Sequence, residues 1–342
     1  MKRTKLLRGV VSLALLFTLI FTMSGCGGEN GSIATSSKNE SSSSSQNKSL
    51  GKTKIRLAVQ PSDIQPYVAS AKGFFEEEGL DVELQLFSYG PPIIEAITAK
   101  NIDVGLLGDL PAFSGIVNGS DINIIGTYGT SAVMHGLVVR DAANIKSLAD
   151  LKGKKISTPF GSNAQPLLYL FLDKAGLTEK DVEILNVANA DTPAALTKGD
   201  IDAAVFFEPA LSSALKEGSG NTLLSTAEGV KNFVNPIIAR GEFTKANPDA
   251  IAKFLKAFDK AAKWSLENPD EAVKIISEAN GVDAGIVKII LQKRNMQTNL
   301  DEEKINALKL GAEQSFKYGL ITKELDVEKY IDTSYLQKAG LQ

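Results

Sequence analysis

From residue 52 onward, short apolar runs alternate with stretches of helical periodicity. The runs at 54–59, 82–87, 104–107, 122–128, 136–140, 155–157, 182–186, 203–207 and 234–239 predict strands. Between them, 66–78, 92–99, 111–117, 163–175, 192–198 and 209–216 predict helices, several opened by proline. Beyond 247 the pattern is helical only. Ile251, Phe254, Leu255, Phe258, Ala262 and Leu266 fall on one predicted face, and Trp264 reads as packing on the same helix. Strands alternating with helices define an α/β body.

Two stretches of this body echo one another. A helix from Pro92, the turn Ile102-Asp103, a short apolar run, Asp109 and then Pro111-Ala112 form the first. A helix from Pro193, the turn Ile201-Asp202, a short apolar run, Glu208 and then Pro209-Ala210 form the second. The echo predicts two lobes of similar build, 52–138 with 237–342 and 139–236, joined by two hinge crossings. Ligands of open α/β sheets gather beyond the carboxyl ends of the strands, so a central cleft between the lobes is expected.

The first fifty residues read differently. Lys2, Arg3, Lys5 and Arg8 precede an apolar run from Val10 to Met23, the form of a secretory signal covering 1–25. Met23-Ser24-Gly25-Cys26 resembles a bacterial lipobox, which implies a lipid on Cys26. Residues 26–51 are rich in Gly, Ser and Asn and predict a disordered linker with a reach of roughly 25–30 Å. The expected location is the extracytoplasmic face of the cell membrane, with the chain held through its N-terminal lipid.

Composition narrows the chemistry. The formal charge is −3, from 37 basic and 40 acidic residues, which offers no field for nucleic acid. One Cys and one His exclude a disulfide framework and thiolate–imidazole zinc sites. Ser–His or Cys–His catalysis would have to run through His135 alone, and that residue reads as an ordinary, partly buried histidine. No catalytic, metal or cofactor role is expected.

Ser88-Tyr89-Gly90-Pro91-Pro92, Ile102-Asp103-Val104-Gly105 and Gly108-Asp109-Leu110-Pro111 resemble the aliphatic sulfonate, taurine and nitrate branch of ABC-importer binding proteins. Gly161-Ser162-Asn163-Ala164, Lys174-Ala175-Gly176-Leu177, Ala190-Asp191-Thr192-Pro193 and Gly199-Asp200-Ile201-Asp202 continue the resemblance in order. It covers roughly 52–270 and implies the two-lobe type II fold of periplasmic binding proteins. It also implies a monomer that captures a small anionic solute, most simply a sulfonate or taurine, and hands it to importer permease subunits. Nitrate, bicarbonate or a thiamine-precursor pyrimidine is the alternative cargo.

Helix N-termini carry unpaired N–H groups and suit such an anion. The helix starts at Ser88, Tyr89 and Gly90, at Gly161, Ser162 and Asn163, and at Asp191 and Thr192 are therefore candidate ligand contacts. Ser, Asn and Thr at these positions serve equally as ordinary N-caps. Gln60 and Tyr128, at predicted strand ends, are further candidates. Asp109 and Glu208 have three readings: accepting from a substrate ammonium, bridging the closed lobes, or capping the helices that follow them.

Overall fold

The structure, a computed structural model, describes residues 52–216 and 218–342. The signal segment 1–25, Cys26 and the linker 26–51 lie outside the described residues. Among the described residues, ten strands form two sheets: β1 (Thr53–Val59), β2 (Leu80–Leu86), β3 (Val104–Leu106), β4 (Ile122–Ser131), β5 (His135–Arg140), β6 (Lys155–Thr158), β7 (Glu183–Asn186), β8 (Ala203–Phe207), β9 (Asn221–Thr226) and β10 (Phe233–Arg240). Their orders are β2-β1-β3-β10-β4 and β7-β6-β8-β5-β9. In each sheet three parallel strands are followed by an antiparallel one that arrives from across the hinge. Two such sheets of matching order make the two-lobe type II arrangement.

The sequence echo is carried by equivalent positions: β3 and β8 each stand third in their sheet. The aspartate before each is anchored in the same way. Asp103 accepts from the Arg56 backbone N–H and from the Arg56 and Arg240 guanidinium groups. Asp202 accepts from the Lys155 backbone N–H and from Arg140. Burial pushes Asp103 up, but the two arginines outweigh it and hold the carboxyl below its usual range.

The chain changes sheets between Ser131 and His135 and returns between Thr226 and Phe233. Both crossings lie a few residues before the positions read from the sequence, because β5 pairs with β8 from His135 onward and β10 pairs with β4 from Phe233 onward. Two other differences have simple causes. The helix expected over 66–78 is two, Gln65–Ala71 and Phe74–Glu77, broken at Gly73 with φ 71°. Strand β9 is an edge strand of mixed, mostly half-buried residues and lacks a strand-like pattern.

The helical tail packs on the first lobe. In the helix Pro248–Glu267, Ile251, Phe254, Leu255, Phe258 and Ala262 are buried, and Phe254 stacks on Phe75 at 5.6 Å. Leu266, expected on this face, is 58% exposed, while Ser265 is buried instead. Steps of four residues advance 400° in a helix of 3.6 residues per turn, so a +4 series drifts off its stripe.

Candidate functional site

The lobes meet over a cleft with two connected chambers. The inner one is lined from the first lobe by Gln60, Gly90, Gly108, Tyr128 and Arg294, and from the second by His135, Ser162, Asn163 and Glu208. The outer one shares Gln60, Ser62, Phe207 and Glu208 with it and adds Pro61, Ala190, Pro193, Pro209 and Ala210 together with Ser88, Asn189 and Ser213. Both chambers mix polar and apolar groups, and the outer is the more apolar of the two.

Arg294 is the cation of the inner chamber. It follows the helix Ala284–Lys293, and the next residue is tied to β4 by two backbone bonds, Thr130 N–H to Asn295 C=O at 2.9 Å and Asn295 N–H to Thr130 C=O at 3.0 Å. Gly129 permits this approach: at φ 136°, a Cβ there would stand 2.6 Å from the Asn295 carbonyl oxygen. The guanidinium lies 5.0 Å from the Tyr128 ring centre. Its bonds to Asp63 Oδ1 and Ser62 Oγ are long, 3.5 and 3.4 Å, and its Nε–H has no partner. A buried guanidinium held this loosely retains donor capacity for an anion.

Asp63 sits behind it, fully buried, accepting from the Gln60 backbone N–H at 2.7 Å. Burial pushes its carboxyl up to about 6 against the opposing pull of Arg294. His135 packs on Phe233 with ring centres 4.3 Å apart, and its Nδ1 has no partner. Burial, then Arg294 and Lys231, push its imidazole down to about 3, so it is neutral at physiological pH. Burial also raises the Tyr128 phenol well above its usual range.

The second lobe contributes Asn163. Its side chain makes no N-cap bond; instead its Oδ1 accepts from Leu110 N–H of the other lobe at 3.2 Å, leaving Nδ2 unpartnered. This crossing needs Gly108, where a Cβ would fall 2.0 Å from Asn163 Oδ1. Nearby, a Cβ on Gly161 would approach Pro91 Cγ of the first lobe to 3.0 Å. The helices Gly90–Thr98, Asp109–Val117 and Ala164–Lys174 all begin at this meeting point. Their N-terminal partial charges add to that of Arg294.

Asp109 and Glu208 each accept from a first-turn N–H of a helix and bridge the lobes. Asp109 accepts from Leu110 N–H at 2.8 Å and pairs with Lys231 Nζ at 2.9 Å, both side chains being buried. Glu208 accepts from Ser212 N–H and Oγ–H at 3.0 and 2.9 Å and from Lys293 Nζ at 2.6 Å. Each lysine comes from the lobe or hinge segment opposite its acid.

The sequence candidates divide accordingly. Gln60 and Glu208 line both chambers; Gly90, Tyr128, Ser162 and Asn163 line the inner one, and Ser88 the outer. Tyr89, Asp109, Gly161, Asp191 and Thr192 line neither. The Ser162 hydroxyl donates to Pro159 C=O at 2.6 Å, and the Thr192 hydroxyl donates to Ala188 C=O at 3.1 Å, so both brace local turns. Arg294, His135 and the two lysines were not among the candidates. One signal for Arg294 was available: of the four arginines beyond residue 52, it alone stands apart from the two echoed segments and the strands that flank them.

Two sheets of matching order, two hinge crossings and a cleft between the lobes make up the periplasmic-binding-protein fold. The family model described as NMT1/THI5 like matches residues 60–272, and the chain belongs to that family. A putative aliphatic sulfonates-binding protein of Bacillus subtilis (strain 168) is 30% identical over 335 residues, 96% of each chain. The taurine-binding periplasmic protein of Escherichia coli (strain K12) is 28% identical over 244 residues, 68% of this chain and 75% of that one. Among solved structures, the alkanesulfonate-binding protein SsuA from Xanthomonas axonopodis pv. citri bound to MOPS has a TM-score of 0.75 at 23% identity. The match covers 82% of this chain and 99% of that one.

Proposed function

We propose that this chain is the extracytoplasmic solute-binding component of an ABC importer, not an enzyme, and that its cargo is an aliphatic sulfonate. The observation that carries the reading is the loosely held Arg294 guanidinium in the inner chamber, which Asn163, with its unpartnered Nδ2, also lines. A sulfonate suits these donors and the helix N-termini, and its carbon chain suits the apolar outer chamber. Nitrate or bicarbonate would leave that outer chamber without a partner. A stacked pyrimidine is disfavoured because the Tyr128 ring already carries Arg294 and the His135 ring already lies on Phe233.

The test is calorimetric titration with C2 to C8 alkanesulfonates. Arg294→Gln removes charge-assisted hydrogen bonds of about 1.5–3 kcal/mol, so affinity should fall roughly 10- to 100-fold. Sulfonate binding unaffected by Arg294→Gln, or heat only from nitrate or a pyrimidine, would refute this reading. The same proposal includes a monomeric body, lipid attachment at Cys26 after removal of 1–25, and 26–51 as tether. Detergent-phase partitioning of the full-length chain, lost in Cys26→Ser, checks the attachment.

A further inference from the structure

Glu208 is the only acidic residue lining either chamber among the described residues. It stands where the two chambers join, with no exposed side-chain surface. An acid at that place would ordinarily receive an ammonium group carried on the ligand's chain. Here that role is already filled. Lys293 Nζ and Ser212 Oγ both donate to Oε1, and Ser212 N–H donates to Oε2. Lys293 lines neither chamber; it reaches Glu208 from the first lobe, whereas Glu208 belongs to the second.

We infer that Lys293 is a specificity-determining residue: by neutralising Glu208 as the lobes close, it selects sulfonates with an uncharged chain over aminosulfonates. The inference rests on the sulfonate reading above and narrows it. A ligand ammonium entering the outer chamber would be stripped of water beside Pro61, Phe207 and Pro209. The one carboxylate within reach has its charge already balanced, so the ammonium loses hydration without gaining a counter-ion. A methyl group in the same place gains apolar contact.

Propane-1-sulfonate and taurine form the deciding pair, since they differ in a terminal CH₃ against NH₃⁺. Calorimetric titration of the wild-type protein should give propane-1-sulfonate at least about a 10-fold advantage. Lys293→Met leaves the Glu208 carboxylate without its counter-charge, and the ratio should move about 10-fold or more toward taurine. In Glu208→Gln/Lys293→Met the carboxylate is gone and the gain should vanish, which a merely structural role for Lys293 does not predict. Should Lys293→Met not fold, Lys293→Gln, which keeps a donor on Glu208, serves the same comparison. Equal wild-type affinities, or a ratio unmoved by the lysine variants, overturn the inference while leaving the sulfonate reading intact. Wild-type binding of neither ligand overturns both.

Discussion

At the scale of single residues, the cleft holds two buried titrating groups that work in opposite directions. Asp63 is raised in the fold to about 6, so its contribution to stability is full below its ordinary value near 4 and is lost as pH rises through 6. His135 is depressed to about 3, so its contribution is full above its ordinary value near 6.5 and is lost as pH falls below it. Between roughly pH 4 and 6 the two oppose each other. Replacing His135 by Gln should therefore shrink any stability deficit of the variant as pH drops from 7 to 5, by up to about 1.4 kcal/mol per unit. Urea denaturation of both proteins across that range checks it; a constant difference would mean His135 is not held neutral. Asp63 has a second consequence, for binding. An anion beside Arg294 weakens the hold of that guanidinium on Asp63 and favours the protonated acid. Binding then takes up a proton, and sulfonate affinity should rise several-fold from pH 7.5 to 5.5. Asp63→Asn should flatten that profile in the same titrations.

At the scale of elements, most strands and helices were legible because each has a period or an opening proline. The echo at Asp103 and Asp202 was legible too, since an Ile-Asp turn before a short apolar run repeats in sequence. Its anchoring predicts a graded effect. Asp103→Asn cuts two arginines from an almost buried carboxylate and should destabilise by about 3 kcal/mol. Asp202→Asn, with one arginine and a more exposed carboxylate, should cost about 1 kcal/mol. Denaturant midpoints rank the two, and the reverse order would break the equivalence of the lobes. What stayed hidden in the sequence was tertiary pairing. Arg294 sits just past a helix that looks like ordinary packing, and its place in the cleft is set by the backbone bonds between Thr130 and Asn295 and by the Ser131 hydroxyl donating to Lys293 C=O. Thr192 illustrates the converse: it opens a helix as expected, yet its hydroxyl turns back to Ala188 C=O.

At the scale of the whole molecule, the lobes also touch away from the chambers. Asp173, on the second-lobe helix Ala164–Lys174, accepts from Lys317 Nζ at 2.7 Å and Tyr318 Oη–H at 2.6 Å, both at the end of the first-lobe helix Glu302–Lys317. Tyr169 stacks on Tyr318 with ring centres 5.3 Å apart. Lys317 first, and then Tyr318, hold the Asp173 carboxyl below its usual range, so the contact stays charged in mildly acidic conditions. Exposed pairs of this kind add little to folding stability. Their leverage is on closure, because the contact joins the lobes and is lost when they part. Removing it should shift the population toward open forms and speed ligand release, with association little changed. Asp173→Ala and Tyr318→Ala should each raise the sulfonate dissociation rate by about threefold or more, measured by stopped-flow. Added salt should reproduce part of the Asp173→Ala effect in the wild type and add little in that variant, since it screens the ion pair but not the ring stack. Unchanged dissociation in both variants would assign the closed state entirely to the cleft, to Asn163 with Leu110 N–H and to the two acid–lysine bridges.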